Sequence, residues 1–352
     1  MAVRREAHRL ASEIPSLINL NIATASTLLE GRKTTAVALV QAHLTRIAEV
    51  NGYFNAVLET NPDAIAIAKA LDDEQALSGR RSPIHGIPIL TKDNLVTLDS
   101  MEAAAGSTIL LGAKLGVESG VARKLRAASA IILGKSNLSK FSGLRTPKGI
   151  SGWSPRGGLT MGAYCENMKT SGSSSGSSVA TALGLAVVSF GTETDGSITS
   201  PAGREAVIGF KPTVGLVPME GAIPVSVTQD SAGPIAKAVK DAAYVLNAIV
   251  EPSDSFPAVD YLLSYNANFE GTDEFDKMSG DDKLYAMAGS VKRDISFYAS
   301  TLVQNPRNIS RLHNIMELCK KDVAEYYPTR DTRDWELAMS VGLRWQEVQR
   351  IT

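Results

Sequence analysis

The strongest constraint on this chain lies between Ser171 and Ser197. The run Ser171-Gly172-Ser173-Ser174-Ser175-Gly176-Ser177-Ser178 leads without a break into the small-residue stretch Val179 to Leu185. The apolar Val187 to Phe190 follows, and the segment ends on Gly191-Thr192-Glu193-Thr194-Asp195-Gly196-Ser197. A Gly/Ser linker connects folded units and does not normally run straight into an apolar helix and a buried strand. The pattern therefore predicts a helix and a strand flanked by two serine-bearing glycine turns. Two more short apolar runs read as strands entering a core. Ile84 to Leu90 delivers Thr91-Lys92-Asp93-Asn94 at its end, and Ala130 to Gly134 follows a helical stretch from Val121 to Ala128. Strands alternating with helices define an α/β protein whose helices cover the faces of a sheet.

Around this centre the spacing of Val37, Val40, Leu44 and Ile47 predicts an amphipathic helix over 35–50, with Thr34 or Thr35 as N-cap and Asn51-Gly52 closing it. A second helix is expected over 62–77. Lys135 to Thr170 is polar, Gly-rich and longer than most structureless loops, which points to function or to an element the pattern hides. Beyond Val250 the acidic stretch holding Asp273, Glu274, Asp276, Asp281 and Asp282 reads as loop. From Ser290 onward the chain shows helical patterns, such as Ile309, Leu312, Ile315, Met316 and Cys319, without clear strands.

Composition narrows the functional classes. Lys plus Arg total 36 against 37 Asp plus Glu, a net charge of −1, so no surplus exists to hold a polyanion and direct nucleic-acid binding is not expected. The 44% hydrophobic and 21% charged fractions are those of a packed globular protein. Cys165 and Cys319 form no C-x-x-C pair, which argues against a disulfide framework or a structural zinc site. The charged first fifteen residues lack a signal-peptide core, and no apolar run approaches a membrane span, so a cytoplasmic protein is expected.

Two serines compete for a nucleophile's role. Gly172 to Gly176 fits G-x-S-x-G with Ser174 at its centre, as in α/β-hydrolases. That arrangement needs a buried strand just before it, whereas Asn167 to Thr170 is polar, and the only downstream histidine, His313, sits in a helical pattern. Ser197 is better placed, because Gly196 permits a turn whose consecutive N–H groups converge on one point, as an oxyanion requires. Of the histidines, His8 lies in the polar amino-terminal segment, His43 lies along a helix and His85 is suited to holding a turn. Lys92 is left as the base, and lysine acts as one only when burial keeps it neutral. Its alternative fate is that of an ordinary strand-end lysine reaching solvent.

Taken in order, Ile84-His85-Gly86-Ile87-Pro88-Ile89-Leu90-Thr91-Lys92-Asp93-Asn94, the Ser-rich turn, Gly191 to Ile198 and Gly209-Phe210-Lys211-Pro212-Thr213 resemble the amidase signature family, nearest in look to its peptide amidase branch. The resemblance covers residues 28–250 as the catalytic region, with 251–352 an abridged, mainly helical continuation of the same domain. It implies a mixed central sheet covered by helices on both faces. It also implies a Ser-cisSer-Lys triad in which Ser197 is the nucleophile, Ser173 the bridging serine and Lys92 the base. Ser173 precedes Ser197 by 24 residues, the family's spacing, which selects it over Ser174 and Ser175. Thr194, Asp195 and Gly196 match the backbone oxyanion hole. The implied reaction is hydrolysis of a small-molecule or peptide amide through an acyl-enzyme, with no metal or organic cofactor. Oligomeric state stays open.

Three departures from the family pattern stand out. Asn137-Leu138-Ser139 continues as Lys140-Phe141, where an acidic residue is usual. Glu205-Ala206 replaces an Asn-Gly pair, which strains the turn if φ is positive there. Phe269 to Val303 offers nothing like the strands and helices that complete the family's sheet, so exposed edges are expected. An inactive or partner-dependent remnant, and a component of the amidotransferase A type, are the alternatives to an active amidase.

Overall fold

A computed structural model of the protein describes residues 14–145, 150–251 and 280–340. Asp273, Glu274 and Asp276 of the expected acidic loop lie outside these residues. The strands in chain order are β1 (Val57–Thr60), β2 (Pro88–Lys92), β3 (Lys114–Leu115), β4 (Ile131–Ser136), β5 (Trp153–Ser154), β6 (Gly158–Leu159), β7 (Val188–Glu193), β8 (Ile208–Gly209), β9 (Ser231–Ala236) and β10 (Leu302–Gln304). The helices are α1 (Ile22–Glu30), α2 (Ala36–Phe54), α3 (Ala64–Ser78), α4 (Gly120–Ala127), α5 (Ser175–Leu183), α6 (Thr199–Arg204), α7 (Val239–Ile249), α8 (Gly280–Ser300), α9 (Leu312–Lys321) and α10 (Arg333–Ser340).

One six-stranded mixed sheet runs β1-β4-β2-β7-β9-β8. Strands β4, β2 and β7 are mutually parallel, and the other pairings are antiparallel. Every residue of β2, β4, β7 and β9 is buried, so both sheet faces are covered. The carboxyl ends of β4, β2 and β7 lie together, at Ser136, Lys92 and Glu193. Open α/β sheets present ligands at such ends.

Most predicted elements form, with shifted limits. Strand β2 begins at Pro88 because Gly86, at φ 76°, turns the chain just before it, and proline suits a strand's first residue. Thr35 caps α2 through Oγ1, which accepts from Ala38 N at 3.0 Å. The helix passes through Asn51-Gly52 and stops at Asn55, which takes the left-handed conformation. Asn51 instead uses its side chain beyond the helix, its Oδ1 accepting from Ala56 N and Val57 N at 2.9 and 2.8 Å. Helix α5 starts inside the serine run itself. Gly176 makes this possible, since a Cβ there would meet the backbone of Ala56 and Asn137.

After Val250 the helical pattern of Leu312, Ile315, Met316 and Cys319 forms α9 as expected, while the expectations for the stretch before it fail. Asp281 and Asp282 open a 21-residue helix, α8, rather than a loop, and β10 pairs with β3, so the region is neither element-poor before Val303 nor without a strand. Helices α8 to α10 build a second apolar cluster with Ala104, Ile109, Leu110 and Phe141, separate from the core around the sheet. Long exposed edges do not appear among the described residues either. The two edge strands, β1 and β8, have four and two residues.

The two smaller departures have local explanations. Lys140 is buried and ion-paired with Glu325 from beyond α9, a carboxylate that also receives Arg145 Nη1 at 2.5 Å and Ser107 Oγ at 2.7 Å. Thr108 adds its amide and hydroxyl to Glu325 Oε1, both at 3.0 Å. The reversed charge at Lys140 is thus answered by an acid from the C-terminal region. Ala206 has φ 49°, so the strain foreseen for the missing glycine is present.

Removing the Glu325 charge leaves the buried Arg145 guanidinium without its carboxylate, beside a Lys140 amine that burial pushes down to about 7. Glu325→Gln is expected to lower stability by about 3–5 kcal/mol. Ala206→Gly is expected to raise it by about 1 kcal/mol. Urea denaturation of both variants beside the wild type measures each difference.

Candidate active site

Lys92 closes β2 with its side chain wholly buried. Its Nζ lies 2.7 Å from Ser173 Oγ, 2.9 Å from Thr192 Oγ1 and 3.1 Å from the Thr192 carbonyl. Asn94 Nδ2 donates to the same Thr192 Oγ1 at 2.9 Å, and to the Ile223 carbonyl at 3.4 Å, which fixes the orientation of the amide. A neutral amine has two N–H groups and one lone pair. The Thr192 carbonyl can only accept, whereas the Thr192 and Ser173 hydroxyls can each accept from or donate to the amine. Burial is the main force on this group, pushing the Lys92 amine down to about 7 against smaller opposing effects from Asp230 and Glu193. Lys135, on the neighbouring strand β4, is also buried and pushed down to about 8 by burial. It pairs in register with Thr91, so it lies on the sheet face opposite Lys92 and takes no part in this cluster.

The serines of the 171–178 run have separate uses. Ser173 follows a cis peptide bond from Gly172, and its carbonyl accepts from Ser139 N at 2.9 Å. Ser174, the alternative nucleophile, is buried, with its hydroxyl donating to the Thr192 carbonyl at 3.2 Å. No strand precedes it, and His313 is exposed on α9. Ser177 Oγ donates to the Phe190 carbonyl at 2.9 Å and packs against Ser136 Oγ at 2.7 Å. Ser171 Oγ meets Ser200 Oγ at 2.7 Å.

Ser197 sits half-buried at the end of the turn after β7. Its carbonyl accepts from Ser174 N at 3.0 Å, which ties the two serine turns together one residue from Ser173. Glu193 organises this turn, a function the sequence reading missed. Its carboxylate accepts from Gly196 N at 2.9 Å, Ile198 N at 2.6 Å and Thr199 N at 2.9 Å. Gly196 has φ 84°, as the sequence suggested. Its amide is therefore engaged, while the amides of Thr194, Asp195 and Ser197 make no hydrogen bond among the described residues.

Asp230 also escaped the sequence reading, because it lies outside every motif and at the start of β9. It accepts from Thr194 Oγ1 at 2.5 Å, Val225 N at 2.8 Å and Ser226 N at 3.0 Å. Burial pushes it up to about 6 against these bonds. Asp93, also buried, pairs with Arg156 at 2.6 Å and receives Gly106 N at 2.7 Å, bracing the loop after Lys92.

The remaining candidates are structural. His85 is buried, its Nε2 3.0 Å from the Leu71 carbonyl and its Nδ1 facing Arg81 N at 3.3 Å, so it holds a turn as expected. His43 is buried against the Gly184 carbonyl at 3.0 Å, and burial pushes it down to about 4. Trp153 packs between Tyr326, 5.6 Å away, and the Arg330 guanidinium, 4.6 Å from its ring centre. Cys165 is exposed, and Cys319 is buried 3.3 Å from Lys140 Nζ. Among the described residues no group of three His, Cys, Asp or Glu is placed to hold a metal ion, and no helix is long and apolar enough to cross a membrane.

The amidase family model matches residues 38–277, and the chain belongs to the amidase family. An amidase-family relative from Arthroderma benhamiae is 37% identical over 366 aligned positions, covering 88% of this chain and 61% of the relative. The A component of glutamyl-tRNA(Gln) amidotransferase from Paenarthrobacter aurescens is 35% identical over 255 positions, covering 71% and 48%. The chain thus spans about half the length of the curated relatives it matches. Among solved structures, native peptide amidase from Stenotrophomonas maltophilia superimposes with a TM-score of 0.81 at 32% identity, covering 95% of this chain and 78% of that one.

The buried amine has a thermodynamic signature. Between about pH 7 and 10.5 the unfolded chain keeps a proton on Lys92 that the folded form has released, so this residue makes unfolding free energy rise with pH across that interval. Lys92→Met is expected to lose that slope. Urea titrations of both proteins at pH 7, 8 and 9 test it, and parallel profiles would count against a depressed amine.

Proposed function

We propose that the chain hydrolyses a carboxylic amide with Ser197 as nucleophile, Ser173 as proton relay and Lys92 as base. The observation that carries this reading is the contact set of Lys92 Nζ, the Thr192 carbonyl and the hydroxyls of Thr192 and Ser173, on an amine pushed down to about 7. Neutral Lys92 takes the Ser173 proton as Ser173 takes that of Ser197, and the Ser197 oxygen attacks the amide carbon. The developing oxyanion is received at the turn of Thr194, Asp195 and Gly196. Thr194 and Asp195 offer amides with no partner among the described residues. Gly196, its amide held by Glu193, contributes the positive φ that closes the turn. Return of the proton through Ser173 to the amine nitrogen breaks the C–N bond, and water releases the acyl group by the same relay. Residues 28–250 supply every one of these groups. The match to peptide amidase supports hydrolysis of an amide.

The amidotransferase relative supports a second reading, in which the same groups release ammonia from glutamine for a partner. Glutaminase activity appearing only with a partner would favour it.

A fluorophosphonate should form one adduct, on Ser197, read by peptide mass spectrometry. Ser197→Ala should abolish it, and activity with it, by about 10³-fold or more. A folded wild type that resists labelling would sink the catalytic reading. Because protonated Lys92 cannot accept from Ser173, kcat/KM should rise with pH through about 7 and level off above it. A pH–rate profile with no acidic limb near 7 is the contrary outcome.

A further inference from the structure

Beside the catalytic turns lies a cleft of about 450 Å³ between the 219–230 segment and α8. Leu115, Val117, Met219, Pro224, Val227 and Phe297 are half of its lining residues, and Asp230, which accepts from Thr194 of the Ser197 turn, also lines it. Three tethers place this wall next to the chemistry. Asp230 binds Thr194 Oγ1 at 2.5 Å, Ile223 N donates to the Asn94 carbonyl at 2.8 Å, and Ala222 bridges Leu95. The apolar surface here is open to solvent, with Val117, Val227 and Phe297 exposed at 55%, 53% and 68%. Exposed apolar side chains converging on one concavity mark a binding site.

Charge decides what the cleft takes. No lysine or arginine lines it among the described residues. Its two carboxylates already have partners, Glu220 with Arg123, and Asp230 with Thr194, Val225 and Ser226. A free carboxylate brought here would lose water and meet no cation among the described lining residues, only apolar groups, Tyr298, Thr301, whose hydroxyl already donates to the Tyr298 carbonyl, and other carboxylates. Glutamine, with its α-carboxylate, is a poor occupant.

Resting on the amidase reading above, we propose that this cleft selects uncharged amides bearing an aromatic or branched aliphatic substituent, with Val227 and Phe297 setting the preference. The substituent lies between these two side chains while the amide carbonyl faces Ser197.

Calorimetry on the Ser197→Ala protein, which binds without turnover, separates the cleft from the chemistry. N-acetylphenylalaninamide should bind at least about tenfold more tightly than glutamine or N-acetylaspartic acid α-amide. Adding Val227→Asp, at an exposed position, should erase that ratio. Phe297→Ala in the otherwise wild-type chain should weaken protection of Ser197 by the phenylalanine amide while leaving its labelling by a small fluorophosphonate unchanged. Equal binding of the three amides, or a ratio that survives Val227→Asp, overturns the proposal. Failure of Ser197 to label at all overturns the catalytic reading instead, and the calorimetric ratio still decides the cleft.

Discussion

A lysine amine wholly buried at the end of a central strand is the constraint on which the rest of this structure depends. Moving it from 10.5 to about 7 corresponds to a cost on the order of 5 kcal/mol when the group is charged. No side chain forms an ion pair with Lys92 to offset that cost among the described residues; Thr192 and Ser173 supply neutral partners. The sheet must therefore be closed on both faces around β2, and the two serine turns must meet over its end. The all-buried strands, the close approach allowed by Gly176 and the Ser174–Ser197 backbone bond all serve that geometry.

Carboxylates in this region act on backbone more than on charge. Glu193 gathers three amides of the Ser197 turn, Asp230 gathers two from the 225–226 segment, and Asp93 takes the Gly106 amide. Each converts a loop that sequence leaves free into one defined path. The result is preorganisation, the property that keeps donors aimed at a developing charge before the reaction begins.

Much of this was legible in the sequence. The helices and strands around 35–50, 121–134 and 179–190 follow from apolar spacing, Lys92 ends a short apolar strand run, and Ser173 and Ser197 stand in turns that glycine makes conspicuous. Asp230 and Glu193 were not legible as partners, because a carboxylate that binds distant amides leaves no periodic trace. The first half of helix α8 was read as loop because its first turn carries Asp281 and Asp282, while the stripe of Val291, Ile295, Tyr298 and Ala299 that buries it begins only beyond Ser290. The reversed charge at Lys140 made sense only once Glu325, distant in sequence, was seen beside it.

That pairing joins two parts of the molecule energetically. Lys140 follows Ser139, whose amide holds the Ser173 carbonyl and whose hydroxyl accepts from Gly152 N at 2.8 Å. Undocking the Glu325 segment strands the buried Arg145 guanidinium at that junction, which couples the C-terminal helices to the loop that holds Ser173. Amide-exchange protection along 312–325 and around Ser173 is then expected to share one opening free energy.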